Sequence, residues 1–259
     1  MCTQVFYGII QNNMRRPSLK TKSFLILTGV IAILLVILMS PIFGVNEVII
    51  TGSAVYSEDD ILMAAGFNQD SNNATNLFRV NTRHTERDLS ALPFIRSANV
   101  TKQFPNTLII QINERIPFAQ VFNAQQGLYI TIDDEGYVLE AFAARREGLP
   151  VVVGVRVAGF SIGHRLETDD EHLLPIISRI SDVLKTNGLT NVARIDISNV
   201  SDIRLLINDI TVVIGSMQDL NLKIMWASAI LGEEQFAPPV RGTLHTARYK
   251  EDMWFAIGE

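Results

Sequence analysis

SFLILTGVIAILLVILMSPIF, residues 23–43, decides how this chain is read. The run holds no charged side chain. As an α-helix rising 1.5 Å per residue it would be about 30 Å long, the thickness of a bilayer's hydrocarbon core. Arg15, Arg16, Lys20 and Lys22 precede it, and the first acidic residue of the chain is Glu47. Basic residues on one flank only hold that flank in the cytoplasm. The pattern predicts a cytoplasmic tail over 1–22, a retained transmembrane helix over 23–43, and an exported remainder. A cleaved signal peptide would have a shorter apolar core, about 7–15 residues, followed by a small-x-small site. Here the run is longer and ends in Ser40-Pro41-Ile42-Phe43-Gly44, a poor cleavage site. A buried core helix fits less well, because the run is apolar on every face and polar, loop-rich sequence follows.

The formal charge of the whole chain is −5, and every Asp and Glu lies beyond the run. The exported part is therefore more acidic than the total. That argues against a nucleic-acid partner, since phosphate binding needs a basic face. No basic run for anionic lipid occurs in the exported part, whereas the N-terminal cluster suits the cytoplasmic leaflet. Cys2 is the only cysteine. The exported part thus has no disulfide and must stand on its hydrophobic core, at a length that suits two domains.

Outward from the anchor, 45–51 (VNEVIIT) reads as a strand closed by Gly52. Ser57-Glu58-Asp59-Asp60 opens a helix, with Ser57 as cap, Asp60 at the third position and acidic residues in the first turn. A second helix is expected over 82–91, with Thr82 as cap and Pro93 just beyond it. Residues 98–104 and 107–114 read as strands joined by Pro105-Asn106. In the second, Leu108, Ile110 and Ile112 alternate with Ile109, Gln111 and Asn113, the period of a half-buried strand. The order β-α-α-β-β puts two helices on one face of a small sheet.

After Pro117 short strands take over, at 118–123, 128–132, 137–140 and 151–153, with Asp133-Asp134-Glu135-Gly136 as a turn. A helix follows over 174–185, then strands at 192–197, 203–208 and 211–214, and a helix over 220–231. Segments 243–249 and 253–257 read as a final hairpin. The fold class expected is α+β: a β-α-α-β-β domain over 44–116, which the family resemblance given below makes POTRA-like (polypeptide-transport-associated), then a β-rich domain with two helices over 117–259.

Catalytic chemistry is missing. His84, His164, His172 and His245 lack metal-ligand spacing. The one G-x-S-x-G string, Gly159-Phe160-Ser161-Ile162-Gly163, opens no helix as a nucleophile elbow would, and no S-x-x-K or H-E-x-x-H occurs. Asp133-Asp134-Glu135 is most simply a turn, and Asp169-Asp170-Glu171 lies ahead of a helix, where carboxylates are stabilising. No catalytic residue, cofactor or metal is expected.

The chain resembles the FtsQ/DivIB family of bacterial cell-division proteins. Leu92-Pro93-Phe94-Ile95-Arg96-Ser97-Ala98-Asn99-Val100 resembles the family's L-P-W-I-x-x-A-x-V. Phe104-Pro105-Asn106-Thr107-Leu108-Ile109-Ile110 resembles x-P-x-T-L-x-I. Glu114-Arg115-Ile116-Pro117-Phe118-Ala119 resembles E-R-x-P-x-A, at the junction of the two domains. Residues 133–138 look like the D-x-x-G-x-V hairpin, and Leu149-Pro150 like the L-P before the next strand. Read physically, these residues mark structure: Pro93 stops a helix, Phe94, Ile95 and Val100 fill a core, and Glu114 and Arg115 are able to pair.

The resemblance implies a non-enzymatic scaffold of the divisome, single-pass type II in the inner (plasma) membrane at the septum, with its C-terminal domains outside the cytoplasm. It implies a POTRA domain that serves septal recruitment. It also implies that the end of the β domain binds the coiled-coil partners FtsB and FtsL among other divisome components. The implied binding residues are Arg248, Tyr249, Met253, Trp254, Phe255, Ala256 and Ile257. Lys250-Glu251-Asp252 departs from the small residues common in the family there. Backbone pairing on an edge strand would give affinity and Tyr249 a rigid anchor. Of Trp254 and Phe255 only one can point inward. The alternative is a membrane-anchored POTRA protein of secretion or outer-membrane assembly, although no series of lipid-facing barrel strands follows.

Overall fold

A computed structural model describes residues 19–67, 75–189, 191–233, 240–247 and 253–257. By internal contacts the chain forms two compact units. One comprises Met1–Ile49, Gln69–Asn81 and Thr101–Ile109; the other comprises Ile50–Asn68, Thr82–Val100 and Ile110–Glu259.

The first unit begins with helix α1, Leu19–Leu38. The expected helix over 23–43 is corrected at both ends. It starts earlier, taking in Lys20 and Lys22, and it stops at Leu38. The stop has a local cause. Ser40 precedes Pro41, which disfavours the α region, and Ser40 is extended at φ −62°, ψ 144°. Pro41–Phe43 then form one 3-10 turn capped by the Ser40 hydroxyl. Among the described residues no helix is long and apolar enough to cross a membrane. The uncharged part of α1 with described side chains, 23–38, is about 24 Å long at the α-helical rise.

Strands β1 (Glu47–Thr51), β2 (Ile95–Gln103) and β3 (Thr107–Glu114) form a sheet in the order β1-β3-β2. Between β1 and β2 lie helices α2 (Glu58–Ala64) and α3 (Thr82–Ser90), so the expected β-α-α-β-β order holds. The capping box at α2 forms as the sequence specifies: the Ser57 hydroxyl accepts the Asp60 N–H and the Asp60 carboxylate accepts the Ser57 N–H. At α3 the helix begins at Thr82 itself, so Thr82 is not its cap. Ile61, Leu89, Ile95, Val100 and Ile110 are fully buried or nearly so. β2 starts earlier than expected because Ile95, just past the Pro93 turn, is already a core position.

The second unit also holds a nine-stranded sheet. Its members are β4 (Pro117–Asn123), β5 (Leu128–Asp133), β6 (Val138–Phe142), β7 (Val151–Val153), β8 (Val192–Asp196), β9 (Ile203–Ile207), β10 (Ile210–Gly215), β11 (Gly242–His245) and β12 (Trp254–Ile257). In space the order is β12-β11-β10-β9-β8-β7-β4-β5-β6. The β4–β7, β7–β8 and β10–β11 pairs are parallel, and the other neighbours are antiparallel. Helix α4 (Leu173–Thr186) buries Leu174, Ile177, Ile180 and Leu184, and α5 (Leu220–Leu231) buries Leu220, Ile224 and Ala227. All belong to one core with Ile130, Ile195, Leu205 and Val212 from the sheet. Two short strands, Val157–Gly159 and Glu167–Thr168, pair separately and were not expected.

Candidate functional site

The last two strands pair antiparallel at the end of the nine-stranded sheet, the first of them ending at His245 rather than running on to 249 as expected. β11 pairs in parallel with β10 on one side and antiparallel with β12 on the other. The β11–β12 register is Gly242↔Ile257, Thr243↔Ala256, Leu244↔Phe255 and His245↔Trp254. β12 is the last strand in the order, so its outer backbone edge faces no described strand. Such an edge carries N–H and C=O groups able to pair with an added strand.

Side chains alternate along β12. Phe255 is half-buried and packs on the core, whereas Trp254 is 53% exposed; Ile257, on the Phe255 face at the end of the strand, is 84% exposed. Phe255 is therefore the inward member of the aromatic pair. Trp254 lies on the other face, stacked on His245 with ring centroids 3.7 Å apart and planes 12° apart. Gly242 is required where it stands: a Cβ there would collide with the Ala256 carbonyl oxygen and the Phe255 ring. Met253 is half-buried just before the strand and Ala256 is half-buried within it. Arg248 and Tyr249 lie outside the described residues. The structure thus brings Trp254, Phe255, Ala256 and Ile257 together on one edge strand, with Met253 leading into it.

Sequence reasoning missed a second constellation, an ion cluster at the turn after β5. The acidic stretch is a turn as expected, and Gly136 takes φ +83° in it. Its carboxylates do more than turn the chain. Asp133 is fully buried; one of its oxygens accepts Nη1 of Arg115 at 2.6 Å, and the other accepts the N–H groups of Glu135 and Tyr137 at 2.9 and 2.8 Å. Arg115 also reaches Glu135 at 3.1 Å and sits 3.7 Å above the Tyr137 ring. Asp134 pairs with Arg96 of β2 and, at 2.7 Å, with Lys185 of α4. Burial pushes the Asp134 carboxyl up, but Lys185 and Arg96 outweigh it and hold the group below the usual carboxylate range.

Glu114 and Arg115 do not pair with each other. Neighbours on an extended chain point to opposite sides. Glu114 turns to the loop after β1, where one oxygen accepts the Ser53 hydroxyl at 2.9 Å and the N–H groups of Ala54 and Val55 at 2.8 and 3.0 Å. Burial raises its pKa, and these three donors more than reverse that. The signal available in sequence was only the adjacency of opposite charges, which does not say which acid each base meets.

No group of His, Cys, Asp and Glu with metal-holding geometry occurs among the described residues. His84 is spent on Asp88 one turn along α3.

A three-stranded sheet with two helices between its first two strands in the chain, followed by a nine-stranded mixed sheet whose end strand faces no described strand, defines a POTRA-containing class of protein. Residues 43–115 match the POTRA domain, FtsQ-type, and residues 122–243 match the cell division protein FtsQ/DivIB, C-terminal. The chain is 23% identical over 197 residues to the cell division protein DivIB of Clostridium tetani, covering 75% of this chain and 72% of that protein. It is 25% identical over 253 residues to DivIB of Brevibacillus brevis, covering 95% and 86%. Against the cell division protein FtsQ of Corynebacterium glutamicum it is 23% identical over 222 residues, covering 82% and 92%. The chain belongs to the FtsQ/DivIB family of bacterial cell-division proteins. That is not a known enzyme family, and its members act in the divisome with other division proteins.

Proposed function

We propose that this chain is a non-enzymatic, membrane-anchored scaffold of the divisome that binds FtsB- and FtsL-type partners by strand addition to β12. The observation that carries the reading is the position of β12 at the end of the sheet with its outer edge facing no described strand. Arg248 and Tyr249 would supply side-chain anchors beside the backbone template of 253–257. The division of labour is a tail over 1–22, an anchor over 23–43, a recruiting domain over 44–116 and a partner-binding domain over 117–259.

Anchoring is supported by the exposure of α1. Phe24, Ile26, Leu27, Val30, Ile33, Leu34 and Val36 are all more than half exposed, so apolar groups face outward around the whole helix. Water does not support such a surface, and a bilayer does. The apolar Met39, Ile42 and Phe43 after its end carry the uncharged stretch on toward a bilayer's thickness.

Depletion in cells tests the function: septation should fail and filaments form, and normal septation with an export defect would overturn it. A C-terminal reporter active only outside the cytoplasm tests the topology. An inactive reporter there would refute the type II arrangement.

A further inference from the structure

The first unit gathers exposed apolar side chains from three distant stretches of chain at the end of α1. The Asn76 side-chain amide donates to the Leu38 carbonyl at 2.8 Å, closing the last turn of the helix. The Leu77 N–H reaches the Phe43 carbonyl at 2.7 Å, and the Asn46 N–H reaches the Asn106 carbonyl at 3.0 Å. These bonds hold the 75–78 turn and the β2–β3 turn directly beyond the helix. Three rings meet there. Phe78 lies 5.0 Å from Phe43 and 5.0 Å from Phe104, centroid to centroid. They are not a sealed core: Phe78 is 45% and Phe104 54% exposed, and Met39 and Ile42, in the segment that leads from α1 to Phe43, are 72% and 60% exposed. Scattered apolar residues at a surface need no explanation, but a contiguous group of five does.

Two cations flank the group. Arg79 follows Phe78, and Lys102 extends its amine to the Phe78 carbonyl at 3.5 Å. The sequence shows no basic run here; the fold brings Lys102 to Phe78, and Arg79 is exposed next to Phe78 in the chain. An apolar body with cationic heads at its rim matches the boundary between acyl chains and anionic headgroups.

We infer that Met39, Ile42, Phe43, Phe78 and Phe104 form a collar seated in the interfacial layer of the membrane that α1 enters, with Arg79 and Lys102 on anionic headgroups. The inference rests on the anchoring proposed above and adds a second contact with the same bilayer. The collar fixes the depth of the first unit and holds its exit from α1 against the lipid surface. It also continues the uncharged part of α1, because the apolar zone runs on through the 3-10 turn into the rings instead of through more helix.

The test uses the full chain reconstituted in vesicles of phosphatidylethanolamine and phosphatidylglycerol, with and without brominated acyl chains. Trp226 and Trp254 are replaced by Phe, and one indole is introduced by Phe104→Trp, Phe78→Trp or Leu34→Trp. Loss of emission to brominated lipid, with shielding from acrylamide, is expected for Phe104→Trp and Phe78→Trp. Combining either with Arg79→Glu and Lys102→Glu should reduce that loss. If both collar indoles are open to acrylamide and indifferent to brominated lipid, the collar is wrong. Leu34→Trp reports on the anchor separately. A quenched helix probe with unquenched collar probes defeats only the collar, and an unquenched helix probe defeats the anchor.

Discussion

Arg115 shows how much one side chain in this fold carries. It neutralises the fully buried Asp133, reaches Glu135 and covers the Tyr137 ring. Removing one partner of a buried pair leaves the other charge unmatched, at a cost of roughly 3–5 kcal/mol. Arg115→Met should lower the unfolding free energy by that order in urea titrations, and a change under about 1 kcal/mol would show the pair to be incidental. Glu114 and Asp134 make a pH prediction. Both carboxyls are held below their ordinary range in the folded state. Such groups stabilise fully above the unfolded pKa, and the contribution is lost as pH falls through the folded one. Stability should therefore drop below the ordinary carboxylate range, and Glu114→Gln should flatten that drop. An unchanged pH profile in the variant would count against the loop contacts to Ser53, Ala54 and Val55.

At the scale of elements, the docking of β12 depends on the absence of a side chain at Gly242. A Cβ there meets the Ala256 carbonyl and the Phe255 ring. Gly242→Val should detach the last strand while α4, α5 and the rest of the sheet stay folded. Hydrogen exchange would read this as lost protection confined to 242–245 and 254–257. Protection retained there would contradict the register. The hairpin itself was legible, because 253–257 is apolar and turn-bounded, as were α5 and β3 by their periodicity. Less of the sheet was legible. Val151–Val153 and Val192–Asp196 are parallel neighbours far apart in sequence, and alternation within a strand says nothing about which strand lies beside it. The helix expected over 23–43 ran too far at its C-terminal end for a local reason: hydrophobicity continues past Leu38, but Ser40-Pro41 ends the α-helical backbone.

For the whole molecule, the sequence held no coherent catalytic constellation, while the expectation of FtsB- and FtsL-type partners came from the family resemblance alone. The edge position of β12 depends on the parallel β10–β11 pairing, which no local pattern reveals. The charge cluster was hidden for a similar reason: Arg96, Arg115 and Lys185 come from three separate elements to one turn. The most direct measurement is a binding titration of purified residues 44–259 against the proposed FtsB- and FtsL-type partners. Parent chain, Tyr249→Ala, Phe255→Pro and Ala256→Pro would be compared, with circular dichroism as the folding control. Loss of an aromatic hot spot costs at least about 2 kcal/mol, near 30-fold in affinity, so Tyr249→Ala should bind about that much more weakly. A proline on the edge removes a strand donor and should weaken binding further. If all three variants bind as tightly as the parent, the partners do not add to this edge and the proposed scaffold mechanism is wrong.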